Sequence, residues 1–434
     1  MKMTNFQLIV SGVFGLFIVA GIAAFALSGG LTGGTGVGTV TIWGTASQDT
    51  MDKTLATLRE TDKSFLSVNY VQKDAATYQS TLVDAMAAGG GPDLFLLPQD
   101  DITQFGNKIS LIPYTAVSQP TFTSSFVDEG QLFLTSQGSL ALPLIVDPLV
   151  MYWNRDLFSS AGLAQPPQYW SDVLSMAPSL TVLGGNAAVL QSAAALGEWS
   201  NIAYAKEILS ALFLQAGDPL VTYDQSGAPQ STLGITPQGA TENPATSALT
   251  FYTDFANPSK TSYSWNHSLP EAGAAFAAGQ VAMYFGFASD LKVLAAENPN
   301  LHFSVAMLPQ IKGNTTKMTF GRLTGVALSR TAANPTGALT IAEKLTAQAG
   351  IVALVQASNL PSVRRDVALN TSASTAMTVF AQSALIARGW YDPNPSATDA
   401  IFKTMIESVV SGQNQPGSAV SQAAQSLSAI LNGR

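Results

Sequence analysis

From residue 37 onward the apolar positions switch repeatedly between a period of two and a helical period. Residues 37–43, V-G-T-V-T-I-W, read as a short strand, and Asp49 or Thr50 can cap a helix over 51–63. Residues 65–71 alternate as a strand. Tyr78, Leu82, Ala85 and Met86 then recur at helical spacing until G-G-G-P at 89–92 breaks the pattern. D-L-F-L-L at 93–97 is a buried strand. This β-α-β-α-β rhythm predicts a mostly parallel sheet with helices on its faces. Ligands bind beyond the carboxyl ends of such strands, so 43–47 and 98–101 are candidate cleft loops.

Residues 142–158, L-P-L-I-V-D-P-L-V-M-Y-W-N-R-D-L-F, hold the pattern's main irregularity. An apolar strand, 142–146, contains Pro143, which a central ladder tolerates poorly. Asp147-Pro148 interrupts it, and a second apolar run, 149–153, follows at once. Asn154 is a candidate helix cap. A carboxylate between two buried strand segments is costly unless it is paired, hydrogen-bonded or wet. Either the chain crosses here between two lobes with Asp147 at their cleft, or Asp147 turns to solvent at a bulge.

Further on, 181–191 and 301–308 read as strands, and 202–214 and 248–255 as helices. Residues 272–285 read as a helix, a glycine turn and a buried strand. Residues 325–329 form a short apolar segment suited to a second crossing. Helices fill 336–348, 350–357, 373–387, 397–410 and 419–431.

The N-terminus changes the picture. Residues 8–27 form an apolar run long enough to span a bilayer, with Lys2 and no acidic residue before it. A-F-A at 24–26 resembles a signal-peptidase site, but the run exceeds a typical secretory core, which favours a retained anchor. The Gly/Thr-rich segment 29–38 reads as a flexible tether. The folded region then lies outside the cell.

Hydrophobic residues make up 47% of the 434, charged residues 11%, and the net charge is −8, which disfavours nucleic acid as a partner. The absence of cysteine removes disulfides, thiol nucleophiles, thiolate metal sites and a lipidated N-terminal cysteine. His267 and His302 stand far apart, so neither a metal nor another cofactor is expected.

No G-x-S-x-G, H-E-x-x-H, P-loop or strand-linked G-x-G-x-x-G motif is present, so an enzyme is not expected. What remains is aromatic and polar residues at loop positions: Trp43, Trp199, Tyr263, Trp265, Phe287, Trp390 and Tyr391. Rings stack on C–H faces while carboxylates and amides bond hydroxyls, so such residues suit a polyhydroxylated ligand. The same rings also serve as core anchors.

Taken in order, these pieces resemble a family. V-T-I-W-G at 40–44, A-A-G-G-G-P-D-L-F at 87–95 and the long stretch from Ala141 to Leu163 are similar to the extracellular solute-binding proteins of ABC importers. So are F-A-A-G-Q-V-A-M-Y-F-G at 276–286, T-F-G-R-L-T-G-V-A-L at 319–328 and L-P-S-V-R-R-D at 360–366. The maltose-binding and glycerol-phosphate-binding group is the nearest match. The resemblance implies an α/β, two-lobe periplasmic-binding-protein-like fold of type II behind the N-terminal transmembrane helix. Its crossings fall near Asp147-Pro148, 325–329 and 348–351. The implied organisation is anchor 1–28, tether 29–38, one lobe from 39–147 plus 325–350, and a second from 148–324 plus 351–434. The resemblance also implies a monomer that takes a solute, sugar or similar, and delivers it to permease transmembrane subunits. Asp100 and Asp147 match the family's hydroxyl-binding acids, and Phe287 and Trp199 match aromatic positions. Trp43, Trp265, Arg322 and Trp390 complete the expected ligand-binding set. Leu97 stands where the family often has Trp, and the segment near Gly321-Arg322 also departs from it. A carbohydrate hydrolase and a surface sensor or adhesion module on the same fold are the alternatives.

Overall fold

The computed structural model describes residues 36–368 and 374–433. The apolar run at 8–27 lies outside them. Among the described residues no single helix is long and apolar enough to cross a membrane.

The chain opens with β1 (Val40–Gly44), α1 (Gln48–Thr61), β2 (Val68–Gln72), α2 (Tyr78–Ala87) and β3 (Leu94–Pro98). β1 pairs in parallel with both β2 and β3, with Ile42 opposite Tyr70 and Leu94. The alternation at 65–71 begins as a 3-10 turn over Lys63–Ser67, and only Val68 onward joins the sheet.

The apolar stretch after residue 141 is one continuous strand, β4 (Leu142–Asn154). Asn154 caps the following helix α3 (Arg155–Ser160), its side chain accepting from the N–H groups of Asp156 and Leu157. Then come α4 (Trp170–Leu180), β5 (Val189–Ala194), α5 (Ala205–Ala216), β6 (Val281–Phe287), α6 (Asp290–Glu297) and β7 (Phe303–Met307). A second long strand, β8 (Thr319–Ser329), returns beside β4. Helices α7 (Pro335–Thr346) and α8 (Gln348–Ser358), the short β9 (Ala387–Arg388), α9 (Pro395–Val410) and α10 (Pro416–Leu431) follow.

The sheet order β2-β1-β3-β8-β4-β6-β5 places the two long strands in the middle. They belong to two separate cores. Leu142, Leu144 and Val146 of β4, with Leu323 and Val326 of β8, pack in the first core with β1, β2 and β3. Leu149 to Tyr152 of β4 and Phe320 of β8 pack in the second, with β5, β6 and α5. Both strands therefore leave one core and enter the other where Asp147 faces Arg322 and Pro148 faces Gly321. This two-stranded ribbon joins the two lobes.

Two crossings differ from the sequence reading. The segment 325–329 is not a crossing: Gly325 and Leu328 lie opposite Leu97 and Leu94, deep in the first lobe's sheet. An apolar run marks sheet interior, whereas the crossing carries a glycine and an arginine. The step at 348–351 is not a crossing either. Ile351, Ala353, Leu354 and Val363 all pack in the first core, and α8 lies against α1. Beyond Val363 the chain touches both cores, with Phe380 and Trp390 in the second and Ala384 and Ala387 in the first, before α9 and α10 settle in the second. Pro143 is tolerated because the register slips between Thr324 and Gly325 opposite it, so no ladder bond is demanded of its missing N–H.

Candidate ligand-binding cleft

Side chains alternate across a strand, so the ribbon has two faces. Ile145 and Asp147 of β4, with Thr324 of β8, line a cavity of about 440 Å³ between the lobes. The loop after β1 contributes Thr45 and Ser47, and the first turn of α1 contributes Thr50, all from the first lobe. The start of α6 contributes Ser289 and Lys292 from the second. The cavity thus sits beyond the carboxyl end of β1, as a parallel sheet predicts. At its mouth the Lys292 ammonium donates to the Ser358 carbonyl at 2.9 Å, joining the two lobes directly.

Asp147 accepts the Ser289 backbone N–H at 3.0 Å. Burial pushes its carboxyl up to about 6; the Ser289 bond and the Arg322 charge work against that shift, and Asp290 adds to it. Asp100, one turn beyond β3, is also pushed up to about 6, first by burial and then by Asp392. It is half-buried, and no donor among the described residues bonds it.

Arg322 stands beside Asp147 on the cleft face. Its guanidinium pairs with Glu207 of α5 and lies over the rings of Phe287 at 4.0 Å and Tyr204 at 4.9 Å. Asp290 fixes this platform, accepting from the Tyr204 and Tyr284 hydroxyls at 3.0 Å each and from the Phe287 N–H at 3.1 Å. Lys206 is equally committed: its ammonium reaches Asp392 at 2.8 Å and Asp399 at 2.7 Å. Both cations are therefore matched by carboxylates, while Asp100 and most of the acceptor capacity of Asp147 stay open.

The expected aromatics behave differently. Trp265 is 1% exposed and spends its indole N–H on Asn201 at 3.0 Å. Phe287 is wholly buried beneath Arg322, and Trp390 is stacked on Phe402 in the second core. These three are core anchors, because the apolar layers behind the strand ends need large side chains more than the cleft does. Trp199 is half-buried against the second core, and Trp43 carries the Lys73 ammonium 3.6 Å over its ring. No aromatic ring lines the cavity of about 440 Å³. Sequence reasoning missed Lys206, Glu207, Ser289 and Lys292. Ser289 and Lys292 carried a signal, since they follow the buried run of β6 at the point where it enters a helix. Among the described residues no cluster of His, Asp or Glu could hold a metal ion.

Two α/β lobes joined by a strand ribbon, with a cavity between them that carries Asp147 and several hydroxyls on a largely apolar lining, define a two-lobed, cleft-bearing fold. The chain belongs to the bacterial extracellular solute-binding protein family, whose family model matches residues 43–350. Solved structures share the fold at low sequence identity. A cyclic alpha-maltosyl-1,6-maltose binding protein from Arthrobacter globiformis is 16% identical, with a TM-score of 0.74, covering 91% of this chain and 99% of that one. UgpB from Mycobacterium tuberculosis, in complex with glycerophosphocholine, is 18% identical, with a TM-score of 0.71, covering 91% and 99%. A Thermotoga lettingae ABC transporter solute-binding protein, bound with alpha-D-tagatose, is 21% identical, with a TM-score of 0.67, covering 91% and 100%. A binding protein of Brucella abortus (strain 2308) is 34% identical over 65 residues, which is 15% of this chain and 14% of that protein's length.

Proposed function

We propose that this chain is a membrane-tethered receptor that captures an uncharged polyhydroxylated solute, a sugar or a close relative, and hands it to an ABC permease. The observation that carries the reading is Asp147. Its carboxylate stands between the lobes on the cleft face, and among the described residues Ser289 alone donates to it. Thr45, Ser47, Thr50 and Thr324 add hydroxyls around it. A polyol supplies hydroxyl donors to the carboxylate and can both donate to and accept from the wall's hydroxyls. The surplus of carboxylates over Lys206 and Arg322 disfavours a phosphate or carboxylate ligand, because a desolvated like charge is costly. In the absence of an open aromatic platform, hydroxyl bonding rather than ring stacking orients the ligand. Two of the structural relatives named above carry sugars in their names, alpha-D-tagatose and cyclic alpha-maltosyl-1,6-maltose, which supports this choice, whereas UgpB is in complex with glycerophosphocholine.

The cleft-lining set is Asp147 with Asp100 and Arg322, and the bodies that close on it are the two cores joined by the ribbon. The anchor is residues 8–27, retained after synthesis, with the lobes held outside the cell on the Gly/Thr tether. Thermal-shift screening of the full-length protein against neutral sugars, polyols, glycerol phosphates and peptides tests the ligand class. Stabilisation by neutral sugars or polyols is expected, and stabilisation by phosphates or peptides alone would overturn it. N-terminal sequencing tests the tether, since a mature chain starting near Leu27 would show cleavage instead.

A further inference from the structure

Behind the ribbon, on the face away from the cleft, lies a carboxyl that solute binding does not use. Glu129 sits in the 3-10 segment Asp128–Phe133 of the first lobe and is 2% exposed. Neither of its carboxyl oxygens has a hydrogen-bond partner among the described residues. It presses on the backbone of Gly321, where a Cβ would collide with the carboxyl. The wedge therefore touches β8 at the residue where that strand changes core. Next to it a rear cavity of about 390 Å³ is walled by Gln131 and Leu132 from the first lobe, by Tyr223 from the second, and by Arg388 beside the ribbon.

The charges that face Glu129 are Arg388 on β9, and Asp100 and Asp147 acting from beyond the ribbon. Asp128 beside it is neutralised by Arg365 and Arg388. Burial is the dominant influence and pushes Glu129 up to about 8. The ribbon lies between the front and rear cavities, so a rotation about it that brings the front walls together draws the rear walls apart.

We propose that Glu129 is a proton-operated wedge behind the hinge: dry and protonated while the rear is shut, it takes up water and releases its proton to solvent as the lobes close at the front. Closure and proton release are then one linked equilibrium, and rising pH favours the closed form. The inference rests on the reading that the lobes close around a solute, but its test needs no solute.

The chain has no cysteine, so paired spin labels can be placed without background. Ala56→Cys on α1 and Ala295→Cys on α6 are both exposed, on helices that start at opposite walls of the front cavity. Pulsed electron paramagnetic resonance then reads the distance between them in the ligand-free full-length chain, from about pH 6 to about pH 9. The ratio of short to long distances is expected to rise by up to about tenfold per pH unit and to level off near the upper end of that range. Glu129→Gln, which keeps the shape of the protonated acid, should hold the ratio at its acid-side value throughout. A flat wild-type profile overturns the wedge, and so does an unchanged slope in Glu129→Gln. If the variant alters only the pH dependence of the melting temperature and leaves the distances alone, Glu129 is structural and the proposal also fails. Failure to find any sugar ligand would sink the proposed function and leave this result standing. Sugar binding with no pH-linked closure would sink only the wedge.

Discussion

The two faces of one two-stranded ribbon are built on opposite principles. On the front, Asp147 lines a cavity of about 440 Å³ and keeps acceptor capacity available to it, with Arg322 beside it on the same face. On the rear, Gly321 meets the buried Glu129 with no room for a single added carbon. The faces are one residue apart in sequence, because neighbouring strand residues point to opposite sides. A front substitution should therefore read out in affinity, and a rear substitution in stability and in the position of the hinge. The contrast separates the residues that touch solute from those that set how easily the lobes move.

The largest effect expected is Gly321→Ala. The added Cβ must displace Glu129 or the strand, and overpacking of this kind costs about 1–3 kcal/mol. Chemical denaturation should show the loss. In a Glu129→Ala background the carboxyl is gone and the penalty should largely vanish, so a double-mutant cycle should return a coupling of about the same size. An additive cycle would mean that the two residues do not meet as described.

Of similar size is the effect of Asp147→Ala. Charge-assisted hydrogen bonds to ligand hydroxyls contribute about 1.5–3 kcal/mol. Their loss should weaken solute binding roughly ten- to a hundredfold, with the melting temperature nearly unchanged. Asp100→Ala should behave alike. Unchanged affinity in both, with a fall in melting temperature, would move these carboxylates from the solute site to the scaffold and erase the distinction between the faces.

The front carboxylates also set a pH dependence of smaller amplitude. Asp100 and Asp147 are raised from 3.8 to about 6 in the folded chain. Between those values the folded state binds more protons than the unfolded state, so stability should fall as pH rises through that window. Thermal melts of the wild type and of Asp100→Asn and Asp147→Asn should show a shallower slope in each variant. The Glu129 slope continues to higher pH, up to about 8. The two faces thus titrate in distinguishable ranges.

Much of this molecule is legible in its sequence. The β-α-β-α-β opening, the Asn154 cap and the carboxylate between two apolar runs each have a local physical cause. A pattern of period two or 3.6 reports the local structure that makes it. The loop aromatics were not legible in the same way. A tryptophan in a loop gives one signal whether it points into a core, as Trp265 does, or into a cleft. Side-chain partners distant in the chain left no local trace at all. Glu207 and Arg322 meet across 115 positions, and nothing near either predicts the other. The displaced second crossing has the same origin: Gly321-Arg322 breaks an apolar pattern only slightly, and the more apolar 325–329 drew attention away from it. Glu129 gave no signal, because an acidic residue in a Gly-containing turn reads as surface.

The smallest predicted effect is also the one that bears most directly on closure. The Lys292 ammonium reaches the Ser358 carbonyl at 2.9 Å across the front mouth, from α6 of the second lobe to the end of α8 of the first. Lys292 is exposed, so solvent competes for it and the bond contributes only about 0.5–1 kcal/mol. The bond is made here with Glu129 still dry, so it joins lobes that have partly approached, short of the closure that would part the rear walls. Its loss should act on the balance of open and closed forms rather than on folding. Lys292→Ala should weaken solute binding by roughly two- to fivefold, with most of the change in the dissociation rate. The melting temperature of the free protein should stay the same. At the other end of the lever, Glu129→Gln should impede closure as well, by fixing the rear in its shut form. Lys292→Ala combined with Glu129→Gln should then add in binding free energy, since the two sites act on one rotation from opposite sides without touching. A lower melting temperature in Lys292→Ala, with affinity intact, would mean that the strap holds in both states and that the front does not open at this point.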